Sequence, residues 1–155
     1  MEQLIDLFEQ TRQQLQQILP IASDIRLSFN VGYRAVGQCI KKKGYYHIIL
    51  SKLLLHCNQQ QIKDIIAHEL IHTCPHGMGH GKIFKCFANE LRQHGYNVET
   101  RTPYDTVQTI LRFVNFKYFY FCETCDKQFP TKRPLQQLDN RICPYCGGKI
   151  KQKHQ

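Results

Sequence analysis

No stretch of the sequence approaches the roughly 20 apolar residues a membrane-spanning helix requires, so a spanning segment is excluded. The opening residues, Met1-Glu2-Gln3-Leu4-Ile5-Asp6, lack the basic n-region and apolar core of a secretory signal. A soluble, cytoplasmic protein is expected, with nucleoid association compatible with its charge. Acidic side chains are scarce: 12 Asp and Glu stand against 21 Lys and Arg, a net charge of +9. That imbalance points to a polyanionic partner, nucleic acid being the usual one, with a merely solvated basic surface as the alternative. Residues 1–116 carry 13 basic and 9 acidic groups (+4), and residues 117–155 carry 8 and 3 (+5). Length is also limited. The 155 residues allow one ordinary domain, or one of about 110 residues with a small appendage, and 42% hydrophobic content suffices for a packed core.

What is present centres on His68-Glu69-Leu70-Ile71-His72. Histidines four apart on a helix share a face and can converge on one ion, while Glu69 can reach a metal-bound water without being a ligand. This is the zinc-metallopeptidase signature. Asn58 with Gln61 three residues on reads as a capping box, and Ile62, Ile65, Ile66, Leu70 and Ile71 predict a buried helix. The alternative is a pair of core histidines with a solvated Glu69. A short metzincin site would place glycine and histidine where Pro75 and Met78 stand, so that form is excluded. Pro75, Gly77 and Gly79 end the helix in a turn that holds His76 and His80. His80 opens a second apolar-periodic stretch, Ile83, Phe84, Phe87 and Leu91, ending at Gly95. That position favours it over His76 as third ligand.

Around this motif the pattern predicts an α+β domain with a small sheet packed on helices. A first helix is expected over 2–19, ended by Pro20, and a strand over 25–29. Residues 35–40 and 45–50 flank Lys41-Lys42-Lys43-Gly44 as a hairpin. Tyr45 to Ser51 is the candidate edge strand for holding substrate backbone by strand addition. Residues 97–106 read as irregular, and 107–114 as a short helix or a strand. Cys39, Cys57, Cys74 and Cys86 follow no metal-ligand spacing and are expected to be buried small hydrophobes.

Beyond Phe116 the composition changes. Cys122-x-x-Cys125 and Cys143-x-x-Cys146 have the spacing of a four-cysteine zinc site. With every ligand position filled by sulfur, this zinc is structural. Paired disulfides are the alternative, disfavoured in a reducing compartment. Tyr118 and Tyr120 among Lys117, Lys127, Lys132 and Arg133 suit stacking on unpaired bases with phosphate contacts. The competing reading places alternate aromatics in the core of the small domain.

Both motifs in this order resemble the SprT-like family, which includes bacterial SprT proteins and the Spartan proteases. The residues that carry it are His68-Glu69-Leu70-Ile71-His72, Gly79-His80-Gly81 leading into Phe84, and Cys122, Cys125, Cys143 and Cys146. The resemblance implies a zincin-like metallopeptidase domain over 1–116 and a four-cysteine zinc ribbon over 117–155. It implies one catalytic Zn²⁺ on His68, His72 and His80, one structural Zn²⁺, and Glu69 as catalytic acid/base. Such chemistry often uses a second oxyanion donor, for which His76 and Tyr104 are the candidates, and the sequence does not choose between them. Spartan proteases degrade proteins crosslinked to DNA, are activated by DNA, and engage single strands through the ribbon. The expected function is therefore a monomeric zinc metalloendopeptidase acting on DNA-associated or DNA-crosslinked proteins. The turn between His72 and His80 is shorter than in Spartan, and recruitment motifs for replication machinery or ubiquitin are missing, which leans towards the compact bacterial form. A non-enzymatic zinc-containing nucleic-acid-binding module is the alternative.

Overall fold

A computed structural model describes residues 1–152. The chain divides into two compact units, Met1–Ile110 and Leu111–Gln155.

The first unit is a mixed α+β assembly. Helix α1 (Glu2–Gln16) buries Leu4, Leu7, Phe8 and Leu15 along one stripe. It stops short of Leu19, although the Leu19 N–H still donates to the Leu15 carbonyl (2.8 Å) before Pro20 ends the run. Three strands follow, β1 (Ile25–Asn30), β2 (Gly37–Lys41) and β3 (Tyr46–Ser51), in the order β1-β3-β2. Strands β2 and β3 form the expected antiparallel hairpin, with Cys39 opposite Ile48. Strand β1 pairs with β3 in parallel, Leu27 opposite Ile48.

Strand β3 is therefore central, which corrects the expectation that it forms an edge. Its Ile48 and Leu50 are fully buried. Strand β2, starting at a glycine and ending in the lysine turn, has the short, charged character of an edge.

Helix α2 (Gln59–Ile71) packs against α1, β2 and helix α3 (Lys82–Gln93). Its capping box is complete: Asn58 Oδ1 accepts from the Gln61 N–H, and Gln61 Oε1 accepts from the Asn58 N–H. Ile62, Ile66, Leu70 and Ile71 are fully buried, each contributing about 2 kcal/mol of apolar burial. Helix α3 buries Phe84, Ala88 and Leu91, while Ile83 is 44% exposed and does not belong to the stripe. Gly95 (φ 84°) follows α3 in the left-handed conformation. Helix α4 (Tyr104–Leu111) settles the helix-or-strand ambiguity and begins inside the stretch expected to be irregular.

In the second unit β4 (Tyr120–Cys122) pairs antiparallel with β5 (Ile150–Gln152). Bridges Tyr118–Thr131, Phe121–Gln128 and Ile142–Lys149 extend this framework. Among the described residues its buried core is Tyr120, Cys122, Cys143 and Ile150, with Tyr118, Phe129, Leu135 and Leu138 packed against it, too little apolar surface to fold without a staple. All eight cysteines are free thiols. Cys74 is buried as expected, Cys39 and Cys57 are half-buried, and Cys86 is exposed because its side of α3 faces solvent.

Among the described residues no helix is long and apolar enough to cross a membrane.

Candidate active site

The last turn of α2 and the turn after it bring His68, His72 and His80 together. His72 Nε2 lies 3.2 Å from His68 Nε2, and His80 Nε2 lies 3.0 Å from it. Three nitrogens sharing a tetrahedral zinc would be about 3.3 Å apart, so the spacing fits such an ion. The opposite ring nitrogens explain how the rings are aimed. His68 Nδ1 donates to the Glu99 backbone carbonyl (2.7 Å) and His72 Nδ1 to the Gly77 carbonyl (2.9 Å). Each neutral ring then carries its proton on Nδ1 and turns a lone pair inward. Two lone pairs 3.2 Å apart cannot hydrogen-bond to each other; a cation between them satisfies both.

Burial, reinforced by the neighbouring His72, lowers the His68 pKa to about 4, and burial also lowers that of His72, which keeps both rings in the neutral form a metal requires. Phe84, 1% exposed, has its ring centroid 4.8–5.0 Å from all three imidazoles and packs them as a group.

Two glycines make the geometry possible. A Cβ on Gly77 would collide with the Ile71 carbonyl, and that same glycine supplies the acceptor for His72. A Cβ on Gly37, in β2, would lie 2.5 Å from Glu69 Oε1. Glu69 is 5% exposed, and burial pushes its carboxyl up to about 8. A cleft of about 290 Å³ opens beside it, lined by Gly37, His68, Glu69, Arg34, Arg101 and Thr100, among others.

His76 is exposed in the left-handed region (φ 58°) and takes no part in the histidine cluster. Tyr104 is half-buried at the first residue of α4, next to Pro103, which lines the cleft.

In the second unit the sulfurs of Cys122, Cys125, Cys143 and Cys146 lie within 4.8 Å of one another. Cys122 and Cys146 are 3.4 Å apart, Cys125 and Cys143 3.7 Å; four sulfurs around zinc would be separated by about 3.8 Å. A Cβ on Gly148 would strike the Thr124 side chain, so close chain packing shapes this cage.

The family model described as the SprT-like family matches residues 2–104. The chain belongs to the SprT-like family. Comparison with curated proteins gives no match. The matched range of this SprT-like chain holds the three histidines and Glu69 and ends before the four cysteines, so the second cluster stands on its own geometry.

The residues expected to contact nucleic acid divide. Lys117, Lys132 and Arg133 are exposed and Lys127 is half-buried. Tyr120 is 2% exposed and its hydroxyl accepts from the Leu135 N–H (2.9 Å), so it is core and not a stacking platform. Tyr118 is half-buried against that core. The alternation of the β4 strand sends these rings inward. Tyr145, which sequence reasoning passed over, is 39% exposed, stacked on Phe129 (6.2 Å), with Lys127 Nζ 4.7 Å from its ring centre. Its place inside the second cysteine knuckle was the available signal. The carbonyls of Gly77 and Glu99 were also missed, since a backbone acceptor leaves no mark in a sequence.

Proposed function

We propose that this SprT-like protein is a zinc-dependent metallopeptidase of zincin type acting on DNA-associated proteins. Residues 1–116 form the peptidase domain and residues 117–155 a zinc ribbon. The observation that carries the proposal is the convergence of the His68, His72 and His80 Nε2 atoms, with the Nδ1 protons of His68 and His72 held by backbone carbonyls, beside a buried carboxylate at a cleft. His68, His72 and His80 hold the first ion; Cys122, Cys125, Cys143 and Cys146 hold the second. Zinc in the histidine site supplies Lewis acidity and lowers the pKa of water.

Glu69 accepts the proton of the attacking water and delivers it to the departing amine. Burial alone disfavours its ionised form, and a cation in the neighbouring histidine site offsets that cost. The open edge of β2, whose first residue packs on Glu69, is suited to hold an extended substrate by strand addition. This moves the substrate strand from β3, where it was expected, to β2. On the second unit, Lys117, Lys127, Lys132 and Arg133 contact phosphates, and Tyr145 takes the stacking role first expected of Tyr118 and Tyr120. A purely structural first zinc would have no use for the buried Glu69, which counts against the non-enzymatic binding module.

The test is incubation of the zinc-loaded chain with a basic DNA-binding protein, with and without single-stranded DNA. Cleavage that needs DNA and stops on chelation is expected. Absence of cleavage in a protein carrying two zincs would overturn the peptidase reading for such substrates.

A further inference from the structure

The end of the sheet away from Glu69 carries a charge cluster that the peptidase site does not use. The β2–β3 turn is Lys41-Lys42-Lys43-Gly44, and all three lysines are exposed. Gly44 (φ 88°) makes the turn tight, and the Lys42 N–H donates to the Tyr45 carbonyl (2.9 Å). From the neighbouring strand, exposed Arg26 lays its guanidinium over the Tyr45 ring, 3.9 Å from its centre. Lys41 Nζ lies 5.9 Å from the centre of the Tyr46 ring. A shallow cleft of about 330 Å³ runs between these groups, lined by Lys41, Lys42, Tyr45, Tyr46 and Ser23, with Asp24 as its one acidic side chain. Among the described residues none of Arg26, Lys41, Lys42 and Lys43 is paired with a carboxylate. Lys41 and Lys42 against one acid in the cleft, flanked by exposed Lys43 and by an arginine pre-stacked on a tyrosine, match a chain of phosphates carrying planar bases.

We propose that the lysine turn and the Arg26–Tyr45 stack form a single-stranded nucleic-acid contact surface on the first unit itself. The inference deepens the reading of DNA-associated substrates and rests on it for its use. Strand β2 connects the two features. Its first residue, Gly37, packs on Glu69, and its last, Lys41, belongs to the turn. Four residues of extended chain span about 13 Å. A strand held at the turn keeps any protein attached to it within reach of the Glu69 cleft, and β2 is also the edge along which substrate backbone would lie. The surface thereby acts as a positioning element for substrates joined to nucleic acid.

The experiment measures binding of a labelled oligothymidine to the full zinc-loaded chain by fluorescence anisotropy across a salt series. Wild type is compared with Lys42→Glu/Lys43→Glu and with Tyr45→Ala. The lysines are exposed and the double variant should keep its fold, checked by two retained zincs. Expected are at least about a tenfold loss of affinity at low salt and a log–log salt slope flatter by about 1.4, two phosphate contacts on a single strand. Tyr45→Ala should lose about 5- to 150-fold with the slope unchanged, as loss of a stacking contact does. If wild type binds and both variants match it, this inference is wrong and the second unit alone binds DNA. If wild type binds no oligonucleotide, the inference and the DNA part of the proposed function both fail. Anionic phosphatidylglycerol vesicles form the parallel arm. Vesicle binding that the lysine variant abolishes, with oligonucleotide binding intact, would assign the patch to a membrane surface and overturn the proposal.

Discussion

Gly37→Ala should disable the protein without unfolding it. The added methyl would sit 2.5 Å from Glu69 Oε1, 2.8 Å from its Cγ and 3.0 Å from its Cδ. Ordinary contact begins near 3.4 Å, so the carboxylate must retreat by about 1 Å. Gly37 has no left-handed backbone, and a strand accepts alanine at little cost, so the displaced group is the side chain and not the sheet. A displacement of about 1 Å in a reacting group costs on the order of a hundredfold in rate. The assay is cleavage of a DNA-associated protein substrate, run beside zinc content and a thermal melt. The expected result is a fall in kcat of about 100-fold, two zincs retained, and a Tm within a few degrees of wild type. Activity within threefold of wild type would refute the argument, because Glu69 would then have room that the geometry denies it.

Phe84→Ala should cost about 3–5 kcal/mol by chemical denaturation, since it empties a fully buried site. It should also weaken zinc binding at the histidine site, measured by competition with a chelator, because all three imidazoles lose their common support. His80→Ala should lower bound zinc from two to one per chain by elemental analysis, while His76→Ala should leave two; the reverse result would make His76 the third ligand.

In the metal-free chain the Glu69 carboxyl binds its proton more tightly when folded, at about 8 against 4.5 for the ordinary group. Its stabilising share is complete below about 4.5 and is lost as pH rises to about 8. Chelated Glu69→Gln should therefore gain stability over chelated wild type as pH rises through that window, by a few kcal/mol at most, and a pH-independent gap in urea melts would contradict it. His68, held near 4 against 6.5, opposes this with stability lost as pH falls from 6.5 towards 4.

The motif helix was the most legible element because its determinants are local. The cap at Asn58 and Gln61, the buried isoleucines and the four-residue histidine spacing all lie within one helix length. The hairpin was legible for the same reason, being closed by its own lysine-glycine turn. Its place in the sheet was not. Whether β1 docks on β2 or on β3 depends on a parallel pairing across about twenty residues of chain, which alternation within one strand cannot encode. The acceptors that aim His68 and His72 are main-chain carbonyls at Glu99 and Gly77, set by loop path and not by residue type. Tyr120 illustrates another limit. An aromatic run beside lysines reads equally as platform or core, and only the pairing of β4 with β5 decides which rings turn inward.

Peptidase chemistry at this site depends most directly on Glu69. The deciding measurement is cleavage of a DNA-bound protein by wild type and by Glu69→Gln, each shown to carry two zincs per chain. Cleavage by the first and loss of at least about a thousandfold in the second are expected, with zinc and fold intact. Substantial turnover by zinc-loaded Glu69→Gln would contradict this and remove Glu69 from the chemistry.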